Sequence, residues 1–257
     1  MTSDSGRNGS GFPVEEVLER VDWLLEEGEP GEARRLCRRA IRGHPRDERI
    51  WIAYGDSLAE EGRHAEALRA YERGSELAPG WALALAKRAE ALLEIGRTRE
   101  AEEAVEEALA LHRDDSHATF IRAMVFEFLG RDEAADFWYR RAARLDGENY
   151  FRPYRPAWDR FQEGALAALA MLPSEQQETL GAHRLRVRDL PSRASRGRSS
   201  ALRMCDVLPP RPRSGGRPLV YLYRRNLERV CRDQEELVEQ IYLTLLNELE
   251  PPPGLSS

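Results

Sequence analysis

The sequence predicts an all-α solenoid of about four helix-turn-helix repeats followed by a small α+β domain. Three observations carry that expectation. Small and apolar residues recur every 34 positions through the first half; the period ends after "RLDGENYFRPYRPAW"; and beyond it two short alternating segments lie between helical patterns. A chain of 257 residues, 41% hydrophobic and 33% charged, has the composition of a soluble globular protein with one large or two small domains.

Residues 1–13, rich in Gly and Ser, are read as a disordered tail, and 14–150 as the repeat domain. Gly28, Gly62, Gly96 and Gly130 stand 34 apart, as do Ala33, Ala67, Ala101 and Ala135. A third column, Ala40, Gly74, Ala108 and Ala142, is uniformly small, and a fourth, Cys37, Tyr71, Val105 and Tyr139, is able to pack in a core. Pro45 and Pro79 close the first two units at one phase. The glycines suit turns of positive φ, the small columns suit close helix crossings, and the prolines suit helix starts that need no amide donor.

This pattern resembles the tetratricopeptide repeat, best in "WIAYGDSLAEEGRHAEALRAYERGSELAP", and the resemblance covers about residues 14 to 147. It implies a right-handed superhelical stack whose first helices line a concave groove, a binding surface for another protein rather than a seat of chemistry. Carried onto this sequence, the groove positions are Glu19, Asp22, Glu26, Arg49, Ile52, Asp56, Glu60, Lys87, Glu90, Glu94, His117, Phe120 and Met124, with Glu127 beside them. They form an acidic surface with apolar pockets, suited to a basic or apolar protein or peptide partner; the alternative is a solvated face with no ligand. Lys87 is the single lysine among 39 basic residues.

Residues 151–250 form the second predicted domain. A helix with apolar Phe161, Ala165, Leu166 and Leu169 runs toward "MLPSEQQETL", and "HRLRVRDLP" alternates as a half-exposed strand does. Residues 192–217, rich in Arg, Ser, Pro and Gly, read as a long flexible loop. Leu219 to Tyr223 form another strand, and Asp233 with Glu236 makes a capping box for a last helix with the stripe Leu237, Ile241, Leu245 and Leu249. Residues 251–257 are a tail.

The order helix, strand, long loop, strand, helix, together with "LVYLYRRNLERVCRDQEELVEQIYLTLLNEL", resembles the minimal zincin-like metallopeptidase domain of bacteria over about residues 155 to 250. That resemblance implies zinc held by H-E-x-x-H on the last helix: two imidazoles four apart reach one ion, and the glutamate between them serves as general base. Glu248 matches the base, but Asn247 replaces the first ligand and Pro251 the second. A carboxamide is a poor zinc ligand and proline is none. Pro251 to Pro253 also terminate the helix. The domain's histidine, His183, lies near the first strand. The expectation is therefore a degenerate site, Glu248 being a vestigial base, with no metal and no cofactor, although zinc belongs to the family.

Other classes have less support. Residues 184–213 carry nine arginines against Asp189 and Asp206, but no aromatic residue to stack on bases, and the chain is acidic overall, so nucleic acid is not expected. Residues 1–150 hold 32 acidic and 22 basic side chains, and 151–257 hold 13 and 17, so an intramolecular contact between the 184–213 region and the acidic groove is one reading. No phosphate loop or G-x-S-x-G elbow appears. No stretch reaches roughly 18 apolar residues, and "MTSDSGRNGSGFP" lacks the features of a signal peptide, so a cytoplasmic location without a membrane partner is expected. Cys37, Cys205 and Cys231 form no metal-ligand pair and read as buried thiols of a reducing compartment.

Overall fold

The computed structural model describes residues 13–180, 184–192, 200–209 and 218–249. The tails at 1–12 and 250–257 lie outside them, as do His183 and parts of the arginine-rich stretch. The chain divides into two compact units between Asp146 and Gly147.

Among the described residues the first unit contains eight helices: α1 (Val14–Glu26), α2 (Pro30–Gly43), α3 (Glu48–Glu60), α4 (His64–Leu77), α5 (Ala82–Glu94), α6 (Thr98–Leu111), α7 (Ser116–Phe128) and α8 (Asp132–Leu145). First and second helices alternate between 13 and 14 residues, so each pair with its turns fills one 34-residue period. The period has a backbone cause at the turns. Gly28, Gly62, Gly96 and Gly130 are the residues with positive φ, between 71° and 78°. At the Gly62 turn the Arg63 amide donates to the Leu58 carbonyl at 2.9 Å and the Gly62 amide to that of Ala59 at 2.8 Å. This Schellman closure needs the left-handed conformation at the glycine.

Close packing accounts for the small residues. A Cβ at Gly55 would lie 2.3 Å from Tyr71 Cε1, and one at Gly74 would lie 2.7 Å from Ile52 Cδ1, so glycine at both sites lets a side chain of each helix pack onto the backbone of the other. Ala33, Ala67, Ala101 and Ala135 are at most 1% exposed. The prolines act differently from expectation. Pro45 and Pro79 lie in the turns before α3 and α5 rather than at helix starts, whereas Pro30 holds the first position of α2. Asp47 caps α3, accepting from the Arg49 amide at 3.1 Å, and Asp115 caps α7, accepting from the Ala118 amide at 2.7 Å.

The second unit has α9 (Trp158–Met171), α10 (Ser174–Leu180), β1 (Leu185–Arg188), β2 (Cys205–Leu208), β3 (Leu219–Tyr223), α11 (Arg224–Arg229) and α12 (Gln234–Leu249). Pro173 separates α9 from α10. The sheet order is β1-β3-β2, with β1 parallel and β2 antiparallel to β3. β2 corrects the reading of 192–217 as a loop throughout: Cys205 pairs with Leu222 and Leu208 with Leu219, and that pairing creates the strand. Phe161, Ala165 and Leu169 of α9 meet Val220 and Leu222 of β3 and Leu237, Ile241 and Leu245 of α12 in one core. At Gly164 a Cβ would lie 2.7 Å from Gln234 Nε2, so α9 and α12 also cross closely. Asp233 accepts from the Glu235 and Glu236 amides, each at 2.9 Å, as the predicted cap requires, whereas Glu236 accepts from the Arg232 amide, one residue before the cap, rather than from Asp233 itself.

Candidate functional site

The periodicity of the repeats places the same face of α3 and α5 side by side, and between them lies a cavity of about 340 Å³. Asp56 and Glu60 reach it from α3 and Lys87, Glu90 and Glu94 from α5, so five predicted groove residues meet there. Leu25, Ala59 and Ala91 supply apolar wall, and His64 and Tyr71 enter from α4. The two α4 residues were not expected at the site, because the resemblance assigns the groove to first helices. Tyr71 in particular reads from sequence as a core residue.

Lys87 Nζ lies 3.0 Å from Asp56 Oδ1, and the Tyr71 hydroxyl donates to the same oxygen at 2.8 Å. Burial, then the charge of Asp56 and the hydrogen bond to it, pushes the Tyr71 phenol above its ordinary value, which keeps it a donor. His117 Nε2 is 3.5 Å from Glu90 Oε2. Burial acts to raise the Glu90 carboxyl, but the hydrogen bond with His117 and the charges of His117, Lys87 and His64 hold it below its ordinary value. The cavity thus gathers four carboxylates around one ammonium already engaged with Asp56.

Other predicted groove residues fall elsewhere. Glu19, Asp22 and Glu26 are exposed along α1. Arg49 bonds Asp47 at 2.8 Å and Glu15 at 3.1 Å, tying α3 to α1. Ile52 and Met124, 4% and 2% exposed, are core residues rather than open pockets, because a helix facing neighbours on three sides turns its apolar positions inward. Glu127 is also buried and accepts from the Tyr139 hydroxyl at 3.1 Å. Phe120 packs edge-on against Tyr139 at 5.3 Å.

In the second unit, Asn247 and Glu248 are exposed on the last turn of α12, and Pro251 lies outside the described residues. Gln240 and Thr244, on the turns before Glu248, contact Met204 Sδ at 3.2 and 3.5 Å, so this face of α12 lies beside the start of β2. Burial, then the charges of Glu248 and Asp206, pushes the Cys205 thiol up to about 12. Among the described residues no three His, Cys, Asp or Glu side chains are grouped to hold a metal. Within 184–213, Arg184 donates to the Pro218 carbonyl at 3.1 Å, Arg188 stacks on Tyr221 at 4.1 Å, and Arg203 pairs with Asp206 at 2.9 Å.

Two family models match the first unit under the description tetratricopeptide repeat, one at 24–89 and 58–123 and the other at 117–149. Residues 24–149 are tetratricopeptide repeats. The zincin-like metallopeptidase family matches residues 210–257. Among solved structures, a thermophilic tetratricopeptide-repeat protein of Thermus thermophilus is similar at 17% identity, over 52% of this chain and 75% of that one, with a TM-score of 0.50. MamA of Desulfovibrio magneticus is similar at 21% identity over 55% and 79%, with a TM-score of 0.47. The Cut9–Hcn1 hetero-tetramer of the APC/C is similar at 24% over 51% and 25%, with a TM-score of 0.49. No curated protein matches the chain. Among the described residues no helix is long and apolar enough to cross a membrane.

Proposed function

We propose that this chain is a protein-interaction scaffold that holds a basic segment of a partner in its repeat groove, and that its zincin-like unit does not hydrolyse peptides. The cavity between α3 and α5 carries the first half of this reading. Leu25, Ala59 and Ala91 suit an aliphatic stem and the carboxylates suit a cationic head, as on arginine or lysine. A volume of about 340 Å³ holds one or two side chains, as a peptide anchor requires. Titrating the full chain with a fluorescent peptide of alternating Arg and Leu tests it. Glu60→Arg with Glu94→Arg should weaken binding about tenfold or more, and added salt should weaken the wild type. Equal affinity of variant and wild type would refute the groove.

The donors near the end of α12 do not fit a hydrolytic zinc. Zinc chemistry would lower the pKa of a bound water beside Glu248, but a carboxamide at Asn247 and a ring without a donor at Pro251 stand where imidazoles are needed. The family match at 210–257 supports the competing reading, a zinc metallopeptidase acting on proteins or peptides. Metal analysis separates the two: one zinc per chain surviving dialysis, with peptide cleavage abolished by Glu248→Gln, would establish the peptidase.

A further inference from the structure

The outer face of the first helical pair carries the opposite charge to the groove. Ala33, Cys37 and Ala40 turn α2 inward, which leaves Arg35, Arg38, Arg39 and Arg42 exposed in one stripe at i, i+3, i+4 and i+7. Arg35 reaches Glu32 at 3.2 Å. Arg38, Arg39 and Arg42 have no carboxylate partner among the described residues. Elsewhere among the described residues of the repeats, arginines without a carboxylate partner, such as Arg69 and Arg99, are scattered, and others are paired: Arg63 with Glu61 and Glu66, Arg73 with Glu76, Arg97 with Glu100 and Arg131 with Glu102. The stripe is therefore a concentration of uncompensated positive charge on an acidic unit.

Beside it runs a groove of about 410 Å³ with a floor of Val17, Leu24 and Leu36, and the groove shares Glu32 and Arg39 with a hollow along the stripe. Apolar floor and basic stripe are thus one continuous surface. At its margin Trp23 is 44% exposed, with the Arg20 guanidinium 3.8 Å from its ring centre.

We propose that this face of α1 and α2 is a second docking surface, for an acidic amphipathic helix of another protein. The recessed floor takes apolar side chains at helical spacing. The arginine stripe spans eight residues, seven rises of 1.5 Å or about 10 Å, and so matches carboxylates two turns apart on a facing helix. A nucleic acid would leave the apolar floor unused. A bilayer calls for apolar side chains that protrude, whereas these are recessed. A chain with an acidic groove and this basic face bridges two partners of opposite charge, and the second surface stands whether or not the groove binds as described above.

The test uses the full chain and a labelled Leu/Glu peptide about four helical turns long. Its counterpart with Ser for Leu, a single-stranded oligonucleotide and anionic phosphatidylglycerol vesicles serve as comparisons. The Leu/Glu peptide should bind, and binding should weaken with salt and fall about tenfold or more both in the Ser counterpart and in the Arg38→Glu, Arg39→Glu, Arg42→Glu variant. That variant should stay folded with a melting temperature within a few degrees of wild type, because the replaced side chains are exposed and only Arg42 sits at the helix C-terminus. No peptide binding at low salt, or equal binding by variant and wild type, would overturn the proposal. Tighter capture of oligonucleotide or vesicles, or self-association that the variant abolishes, would overturn it in favour of that occupant.

Discussion

Gly55 sits where α3 presses on α4, and a methyl group there would occupy the space of the Tyr71 ring. Gly55→Ala therefore sets two effects against each other. Alanine favours a helix over glycine by about 0.8–1.0 kcal/mol, while overfilling a packed contact costs about 1–3 kcal/mol. Tyr71 is 3% exposed and its hydroxyl is committed to Asp56, so relief by a rotamer change would break that bond too. A net loss of up to about 2 kcal/mol follows, which lowers the melting temperature by up to several degrees. Gly43→Ala is the matched control. Gly43 ends α2 without positive φ, and nothing lies within 4 Å of its Cβ direction, so alanine should stabilise by a few tenths to about 1 kcal/mol. Urea unfolding followed by tryptophan fluorescence reads both, since four of the five tryptophans lie in the repeats. A Gly55→Ala protein stabilised as much as Gly43→Ala would show that the α3/α4 contact is looser than described. Because Tyr71 holds Asp56, the same variant should also weaken binding of the Arg/Leu peptide.

Glu90 has a folded-state pKa held below the ordinary carboxyl value of 4.5, so its contribution is fully present above that value and is lost as pH falls through the depressed one. Glu90→Gln should flatten the decline in urea midpoint between about pH 5 and pH 3; an unchanged pH profile would refute the assignment. Glu228 is fully buried and pairs with Arg155 at 2.9 Å, Arg225 at 3.4 Å and Arg224. Glu228→Gln leaves those arginines without a counter-charge, at a cost of about 3–5 kcal/mol, and limited proteolysis should then cut within 147–249 while the repeats stay protected. Asp206→Asn should destabilise the second unit by about 1–2 kcal/mol, read as a lower urea midpoint, because Arg203 and Tyr223 both bond this carboxylate.

The eight repeat helices are legible because their cause is local and periodic: a left-handed glycine every 34 residues ends each first helix, and small columns set each crossing. The last helix is legible from the Asp233 cap and its apolar stripe. β2 is not. Its four residues, Cys-Asp-Val-Leu, show one buried position followed by three intermediate ones instead of an alternation, and they lie in a stretch dominated by turn-forming residues. α11 is equally hidden, six residues whose buried positions include Asn226, Glu228 and Arg229. A hydropathy pattern marks such residues as surface, and only their mutual pairing offsets the cost of burial. At the candidate cavity the structure brings together first-helix carboxylates that the sequence reading names as groove positions, whereas it does not name Tyr71 and His64, since a residue's part in a cavity depends on the neighbouring repeat.

By itself the sequence determined where the chain turns and which helices repeat, since backbone sterics act within a few residues. Tertiary structure alone decided which carboxylates converge on one cavity, that Ile52, Met124 and Glu127 are sealed in the core, and that a strand forms at 205–208. Those outcomes depend on surfaces brought together from residues far apart in the chain, where burial and pairing outweigh local preference.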